Sequence, residues 1–323
     1  MKATQFKFGG AYSTVEIPKP TPANDEVLVK VIYSALDTAH DACINKEMMG
    51  YFTHALKEPL YLGYHYSGII EATGSDVNDI AKGAEVFGHL QYEPSQVQGS
   101  LAEYITVKRS DCAIKPSNVP HATAAASTTE AITALQAIRD FGGFQKGQRV
   151  LINGAGGGVG SAAVQIAKAL GASHITAICG TKDVAQVRSW GADRVLDRTT
   201  SPNYVKNLVE EEAQYDVILD APNMLPPGGT RLLAPKGTIV NTIPTLTFLW
   251  NKIKFLFRSK NAGFVECHSK EEDLALIGKW LDEGDLTIPI DSTFPIKEMD
   301  AAMKKQAGKK KGRVVIKVAD GWK

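Results

Sequence analysis

Asn153-Gly154-Ala155-Gly156-Gly157-Gly158-Val159-Gly160 stands between two segments of different periodicity. Before it, Arg149-Val150-Leu151-Ile152 is a short run rich in β-branched residues. After it, Ala162, Ala163, Val164, Ile166, Ala167 and Leu170 recur at helical spacing until Gly171, so the order is strand, glycine turn, helix. Glycines at 154, 157 and 160 suit three physical tasks: a sharp turn, close approach of backbone to a pyrophosphate, and close packing of helix on strand. The amides of Gly158 and Val159 then face phosphates at the positive end of the helix. Gly154, Gly157, Gly158, Val159 and Gly160 thus read as a dinucleotide cradle.

The next strand, His174-Ile175-Thr176-Ala177-Ile178-Cys179, bears on which dinucleotide is bound. About twenty residues past the glycines an Asp or Glu would hold the adenosine ribose of NAD. Here the strand runs into Gly180-Thr181-Lys182, a hydroxyl and an ammonium where a carboxylate would repel a ribose phosphate. This favours NADPH, with Gly180, Thr181 and Lys182 at the phosphate and Arg198 adding charge. A charge-assisted hydrogen bond contributes about 1.5–3 kcal/mol, enough for roughly a tenfold to hundredfold preference. Lys182 and Arg198 as plain solvated charges are the bland alternative.

The 323 residues exceed the size at which single cores stop growing, about 250–300, so two domains are expected. A 44% apolar content and a net charge of +1 give no global bias toward nucleic acid or membrane. Cys43, Cys112, Cys179 and Cys267 are far apart, as reduced intracellular thiols are. Met1-Lys2-Ala3-Thr4-Gln5 leads into strand-like sequence without an apolar signal core. A cytoplasmic protein is expected, although an uncleaved organellar address would leave no such mark.

Around the nucleotide unit the chain divides in three. Residues 1–120 alternate short strands with turns, as in Glu26-Val27-Leu28-Val29-Lys30-Val31-Ile32-Tyr33, and read as an all-β lobe. Residues 121–266 alternate strands and helices, which implies a doubly wound parallel sheet. Residues 267–323 contain an amphipathic helix through Leu274, Ile277, Trp280 and Leu281 and a final strand at Gly312-Arg313-Val314-Val315-Ile316, and are expected to rejoin the first lobe. Asn223 and Asn241 follow or end the fourth and fifth strands of the sheet, where open α/β sheets bind ligands, and are candidates for ribose or carboxamide contacts.

Several segments in this order resemble the medium-chain dehydrogenase/reductases, specifically their zinc-free quinone oxidoreductase and enone reductase branch. They are Gly63-Tyr64-His65-Tyr66-Ser67-Gly68, Gly99-Ser100-Leu101-Ala102-Glu103-Tyr104, Ala124-Ala125-Ala126 with Ile132-Thr133-Ala134, the glycine run, Trp190-Gly191-Ala192-Asp193 and Gly312-Arg313-Val314-Val315. The resemblance implies a GroES-like β-barrel domain, a Rossmann domain, a cofactor in the cleft between them and a homodimer. It also implies a place beside the nicotinamide for Thr133 and one near the cofactor phosphates for Arg313.

The zinc alcohol dehydrogenases of the same superfamily carry Cys where this chain has Asp37 and Gly-His-Glu where it has Gly63-Tyr64-His65. Two ligand positions are altered, so no metal is expected although His40, Cys43 and His65 are ligand-type residues. Without a Lewis acid, electron-poor acceptors are the accessible chemistry: a quinone, or the C=C of an α,β-unsaturated carbonyl, reduced by hydride from NADPH. Donors near the carbonyl oxygen would steady the enolate. The family's Asn and Tyr at this site are replaced by Asp37 and Ala42. Asp37 as a cleft carboxyl donates only if its pKa is raised, and a turn-capping role is the alternative. Tyr51, after Gly50, is the first choice of phenol, with Tyr64 and Tyr66 expected to pack.

Two segments invite other partners. Residues 245–258 put Leu249, Trp250, Ile253, Leu256 and Phe257 on one helical face, which suits core, pocket wall, dimer surface or a peripheral membrane contact. Residues 304–313 are a basic cluster that reads as a solvated loop rather than a nucleic-acid site. The competing functional classes are an NADPH-consuming reductase of a small hydrophobic quinone or enone, an NADPH-binding sensor whose surface binds RNA or protein, and a zinc-type alcohol dehydrogenase.

Overall fold

The computed structural model describes residues 1–243, 245–255 and 259–322. They fall into two units, Met1–Thr129 with His268–Lys323, and Glu130–Cys267. The first division lies inside the helix His121–Gln136, beyond the residue-120 boundary read from the sequence.

In the first unit a seven-stranded sheet runs Ile290–Pro295, Arg313–Lys317, Glu26–Ala35, His65–Thr73, Glu85–His89, Cys112–Ile114, with Tyr104–Lys108 also paired to Glu26–Ala35. All pairs are antiparallel except Ile290–Pro295 with Arg313–Lys317. The long strand is the organiser: alternate Val27, Val29 and Val31 are buried, Lys30 is exposed, and three strands bond to it. Those valines meet Leu36, Tyr64, Tyr66, Ile70, Ile105 and Ile316 in one core. Tyr64 and Tyr66 are fully buried, as expected of packing residues. Two short helices, Thr38–Ile44 and Met48–Thr53, follow the long strand.

The second unit is a six-stranded, all-parallel sheet in the order Arg194–Asp197, His174–Cys179, Arg149–Asn153, Tyr215–Asp220, Leu233–Asn241, Asn261–Phe264. Numbered within the unit, that is 3-2-1-4-5-6, the Rossmann order, with its switch point between Arg149–Asn153 and Tyr215–Asp220. Val150, Leu151, Ile152, Val217, Ile218 and Leu219 are all buried, the continuous apolar run expected of strands covered on both faces. The helix after the glycines spans Gly158–Ala169, starting inside the glycine run itself. The last, four-residue edge strand was not read from the sequence. No described helix is long and apolar enough to cross a membrane.

Candidate active site

The glycine turn sits at the carboxyl end of the first strand of the second unit, on the switch point. The Gly154 and Ala155 amides both donate to the Ile178 carbonyl, at 3.0 and 2.9 Å, which pins the turn to the neighbouring strand. Gly154 has φ +83°, and a Cβ there would meet Pro222 Cδ at 2.6 Å, so only glycine fits. A Cβ on Gly160 would collide with the Gly154 carbonyl. At Gly157, by contrast, a Cβ would meet only the Gly154 carbonyl oxygen, at 3.4 Å. Gly157 is the N-cap of the Gly158–Ala169 helix and no side chain caps it. The first intrahelical bond runs from the Ser161 amide to Gly157, so the amides of Gly158, Val159 and Gly160 precede the helical ladder, as an anion-binding helix start requires.

The ends of the other strands supply the remaining groups. Lys182 is exposed, with no ion pair among the described residues, in the turn Thr181–Asp183 that follows His174–Cys179. The Arg198 amide donates to Cys179, so both cations emerge at the end of one strand. Thr181 is committed elsewhere, its hydroxyl donating to Asp197 and helping to hold that carboxyl low. Asp183 is a carboxylate the sequence reading passed over; it packs against Gly156 closely enough that a Cβ there would strike it. Asn223 is tied to the neighbouring strand: Nδ2 donates to Thr242 Oγ1 at 2.9 Å and Oδ1 accepts from the Thr242 amide at 3.1 Å. Asn241 is 3% exposed and its Oδ1 has no hydrogen-bond partner, so a buried acceptor waits at the strand end. Thr133 is nearly buried in the helix His121–Gln136.

The first unit holds a separate polar cluster around Asp37. Its Oδ1 accepts from the His40 amide at 2.9 Å, capping the Thr38–Ile44 helix, and its Oδ2 accepts from His65 Nε2 at 2.9 Å and from the Tyr92 hydroxyl at 2.6 Å. His65 Nδ1 lies 2.8 Å from Thr128 Oγ1. Arg313 Nη2 stands 3.2 Å from the same His65 Nε2. That nitrogen already donates to Asp37, so the guanidinium serves as a charge partner for the carboxylate. Burial alone would raise the Asp37 carboxyl, but the bonds from His65 and Tyr92 and the charges of His65 and Arg313 outweigh it and hold Asp37 well below the usual carboxylate range. Asp37 is therefore an ionised acceptor and a helix cap, and the raised-pKa donor considered from sequence is corrected.

Comparison with known proteins shows the family. Residues 23–117 match the family model described as alcohol dehydrogenase GroES-like domain, and residues 190–316 that described as zinc-binding dehydrogenase. The chain is 30% identical to the chloroplastic quinone-oxidoreductase homolog of Spinacia oleracea over 98% of both chains. The chain belongs to the quinone oxidoreductase branch of the medium-chain dehydrogenase/reductases. It is also 29% identical to the trans-enoyl reductase pgmF of Aspergillus terreus, over 100% of this chain and 97% of the relative. A solved alcohol dehydrogenase superfamily protein from Novosphingobium aromaticivorans shares the fold, with a TM-score of 0.85 at 24% identity over 98% of this chain and 99% of that one. The protein is accordingly an oxidoreductase of a nicotinamide-dependent family.

Within this medium-chain reductase the sequence-predicted residues separate. The glycines, Lys182, Arg198 and Asn241 surround the strand ends of one sheet. Arg313, expected near the cofactor phosphates, is engaged with His65 and Asp37. Tyr51 is 54% exposed on the Met48–Thr53 helix, with no hydrogen-bond partner among the described residues. Tyr92 and Thr128, which the sequence reading missed, complete the Asp37 cluster; a lone Tyr after Gln91 and a Thr in an alanine-rich helix carry no local signal.

Proposed function

We propose that this oxidoreductase is an NADPH-dependent reductase that works without zinc on a quinone or on the C=C of an α,β-unsaturated carbonyl. The observation that carries the reading is the uncapped helix start at Gly157–Gly160 on the switch point, with Lys182 and Arg198 flanking the end of the adjacent strand. Three backbone amides and a helix dipole suit a pyrophosphate, and two exposed cations suit a further phosphate. The unpartnered Asn241 Oδ1 suits an amide donor such as a carboxamide.

When bound, the reduced nicotinamide supplies the hydride. The chain's own contribution is to bind, orient and stabilise. Asp37 is acceptor-only, so it positions His65 and Tyr92 and donates no proton. The sequence offers two neutral hydroxyl candidates for donation to a carbonyl oxygen, Tyr51 in the first unit and Thr133 in the second. The metal-free reading is supported by how the ligand-type residues are used: Tyr12 holds His40 at 2.6 Å, Tyr64 holds Cys43 at 3.3 Å, and Asp37 holds His65. Among the described residues no three His, Cys, Asp or Glu side chains gather as a metal-binding group.

The test is loss of NADPH absorbance by chelator-treated protein with quinones, short enals and long-chain enones, NADH being run in parallel. Consumption with one acceptor class and NADPH preferred over NADH is the expected result. Tight NADPH binding with no consumption by any acceptor would replace the reductase with a sensor, and activity restored only by added zinc would replace it with an alcohol dehydrogenase.

A further inference from the structure

The helix Leu246–Phe255 has two apolar faces. Phe248, Asn251 and Phe255 are buried, and Phe248 meets Phe264 of the edge strand edge-on at 5.4 Å. Of the settings the sequence offered for the stripe of Leu249, Trp250 and Ile253, the core is the one the fold does not use; its other members, Leu256 and Phe257, lie outside the described residues. On the opposite face Leu246 is 87% exposed, Leu249 54%, Trp250 66% and Ile253 53%, an i, i+3, i+4, i+7 stripe open to solvent.

The charge of the chain segment that carries this stripe is one-sided. From Ala221 to Val265 the chain has no Asp or Glu but six cations, Arg231, Lys236, Lys252, Lys254, Arg258 and Lys260, in a protein whose net charge is +1. The fold gathers several of them. Lys254 Nζ reaches Thr230 Oγ1 at 3.4 Å and Lys260 Nζ reaches the Thr230 carbonyl at 3.2 Å, beside exposed Arg231. The Lys236 amide bonds to Ser259, which brings exposed Lys236 to the same corner.

We propose that this face docks the protein on an anionic lipid bilayer, with Leu246, Leu249, Trp250 and Ile253 entering the interface and the cations around Thr230 meeting headgroups. At 1.5 Å per residue the helix is about 15 Å long, too short to span but sufficient to lie in the interfacial plane. Lipid is favoured over a second copy of the chain because a twofold contact through this face would set the acid-free segment against itself. It is favoured over nucleic acid because the centre of the patch is apolar. The proposal is independent of the hydride chemistry.

The test is co-flotation of the full chain with phosphatidylcholine vesicles and with vesicles also containing phosphatidylserine, with sedimentation in parallel. The expected result is binding to the anionic vesicles, weakened by salt, falling about fivefold for each charge removed in Lys252→Gln and Lys254→Gln. Leu249→Ser combined with Trp250→Ser is expected to lower partition at least tenfold while thermal midpoint and NADPH affinity stay unchanged. Absence of vesicle binding, or binding indifferent to both sets of variants, would overturn the proposal. So would a dimer that the Leu249→Ser, Trp250→Ser protein alone fails to form, since that would make the face a contact between copies.

Discussion

The two polar regions of this protein are built on opposite principles. The glycine turn of the second unit works through what is missing: no side chain caps the helix, and Gly154 and Gly160 occupy places that a Cβ would fill with Pro222 or with backbone. The Asp37 cluster of the first unit works through side chains: those at positions 65, 92 and 313 converge on the one carboxylate of Asp37. The first kind of site is rigid because its hydrogen bonds are backbone bonds, and its function is lost when an atom is added. The second is lost when an atom is taken away.

The largest effect separates two glycines of one turn. Gly157→Asp should fold, because its Cβ meets only one carbonyl oxygen at 3.4 Å, yet it sets a carboxylate at the uncapped amides. NADPH affinity is expected to fall more than about a hundredfold, a charge placed against a phosphate costing several kcal/mol, with little change in the thermal midpoint. Gly160→Ala should instead destabilise the unit, since the Gly154 carbonyl is in the way. Calorimetric titration beside thermal unfolding checks both; equal loss of stability in the two variants would show that the turn has no spare room for a phosphate.

In the other region, Asp37→Asn removes the buried carboxylate that accepts from His65 and Tyr92 and is expected to cost about 2–3 kcal/mol of stability while NADPH affinity is kept. The pH dependence has the same origin. The depressed Asp37 carboxyl stabilises fully above the unfolded value near 4 and loses that contribution as pH falls through its folded value. Three buried neutral histidines act earlier. Burial lowers His40 and His54 to about 4 and His89 to about 3, so as pH falls from about 6.5 the unfolded chain takes up protons that the folded chain refuses. Each then removes about 1.4 kcal/mol per pH unit. Urea unfolding at descending pH should show this decline, and His89→Phe should flatten it by one proton's slope; an unchanged slope would mean that His89 titrates normally in the fold.

The same contrast explains what could be read before folding. The glycine turn is eight contiguous residues between a strand and a helix, so its geometry is local, and sequence periodicity suffices to place the turn. The Asp37 cluster exists only after antiparallel pairing brings Glu26–Ala35, His65–Thr73 and Arg313–Lys317 side by side. Hence His65 looked like a lone zinc-ligand type, and Tyr92 had no signal. Asp183 escaped because the acid was sought at the strand end and stands a turn later, against Gly156. The stripe on Leu246–Phe255 was found, but a helix with apolar residues on two faces does not reveal by its period which face goes inward, and the fold buries Phe248 and Phe255 while leaving Trp250 exposed.

A smaller effect tests the strand-end cations. Lys182→Ala should weaken NADPH about tenfold to a hundredfold and leave NADH nearly unchanged, because the exposed ammonium has no protein carboxylate to release. Equal weakening of both cofactors would remove the phosphate assignment and leave Arg198 or neither.

The smallest effect decides between two phenols. Tyr92 gives its proton to an ionised carboxylate at 2.6 Å, so toward any ligand it is an acceptor, and its loss is a loss of structure. Tyr51 has no protein partner among the described residues and is more than half exposed, so its proton remains available and its removal should hardly alter stability. Tyr51→Phe is therefore expected to lower kcat by up to about tenfold, the worth of one hydrogen bond to a developing oxyanion, with stability changed by less than about 0.5 kcal/mol. Tyr92→Phe is expected to cost about 1–2 kcal/mol of stability with the smaller change in kcat. The reverse pattern, turnover lost with Tyr92 and kept without Tyr51, would move the proton donor into the Asp37 cluster, and the region built from side chains would then do chemistry as well as hold the fold.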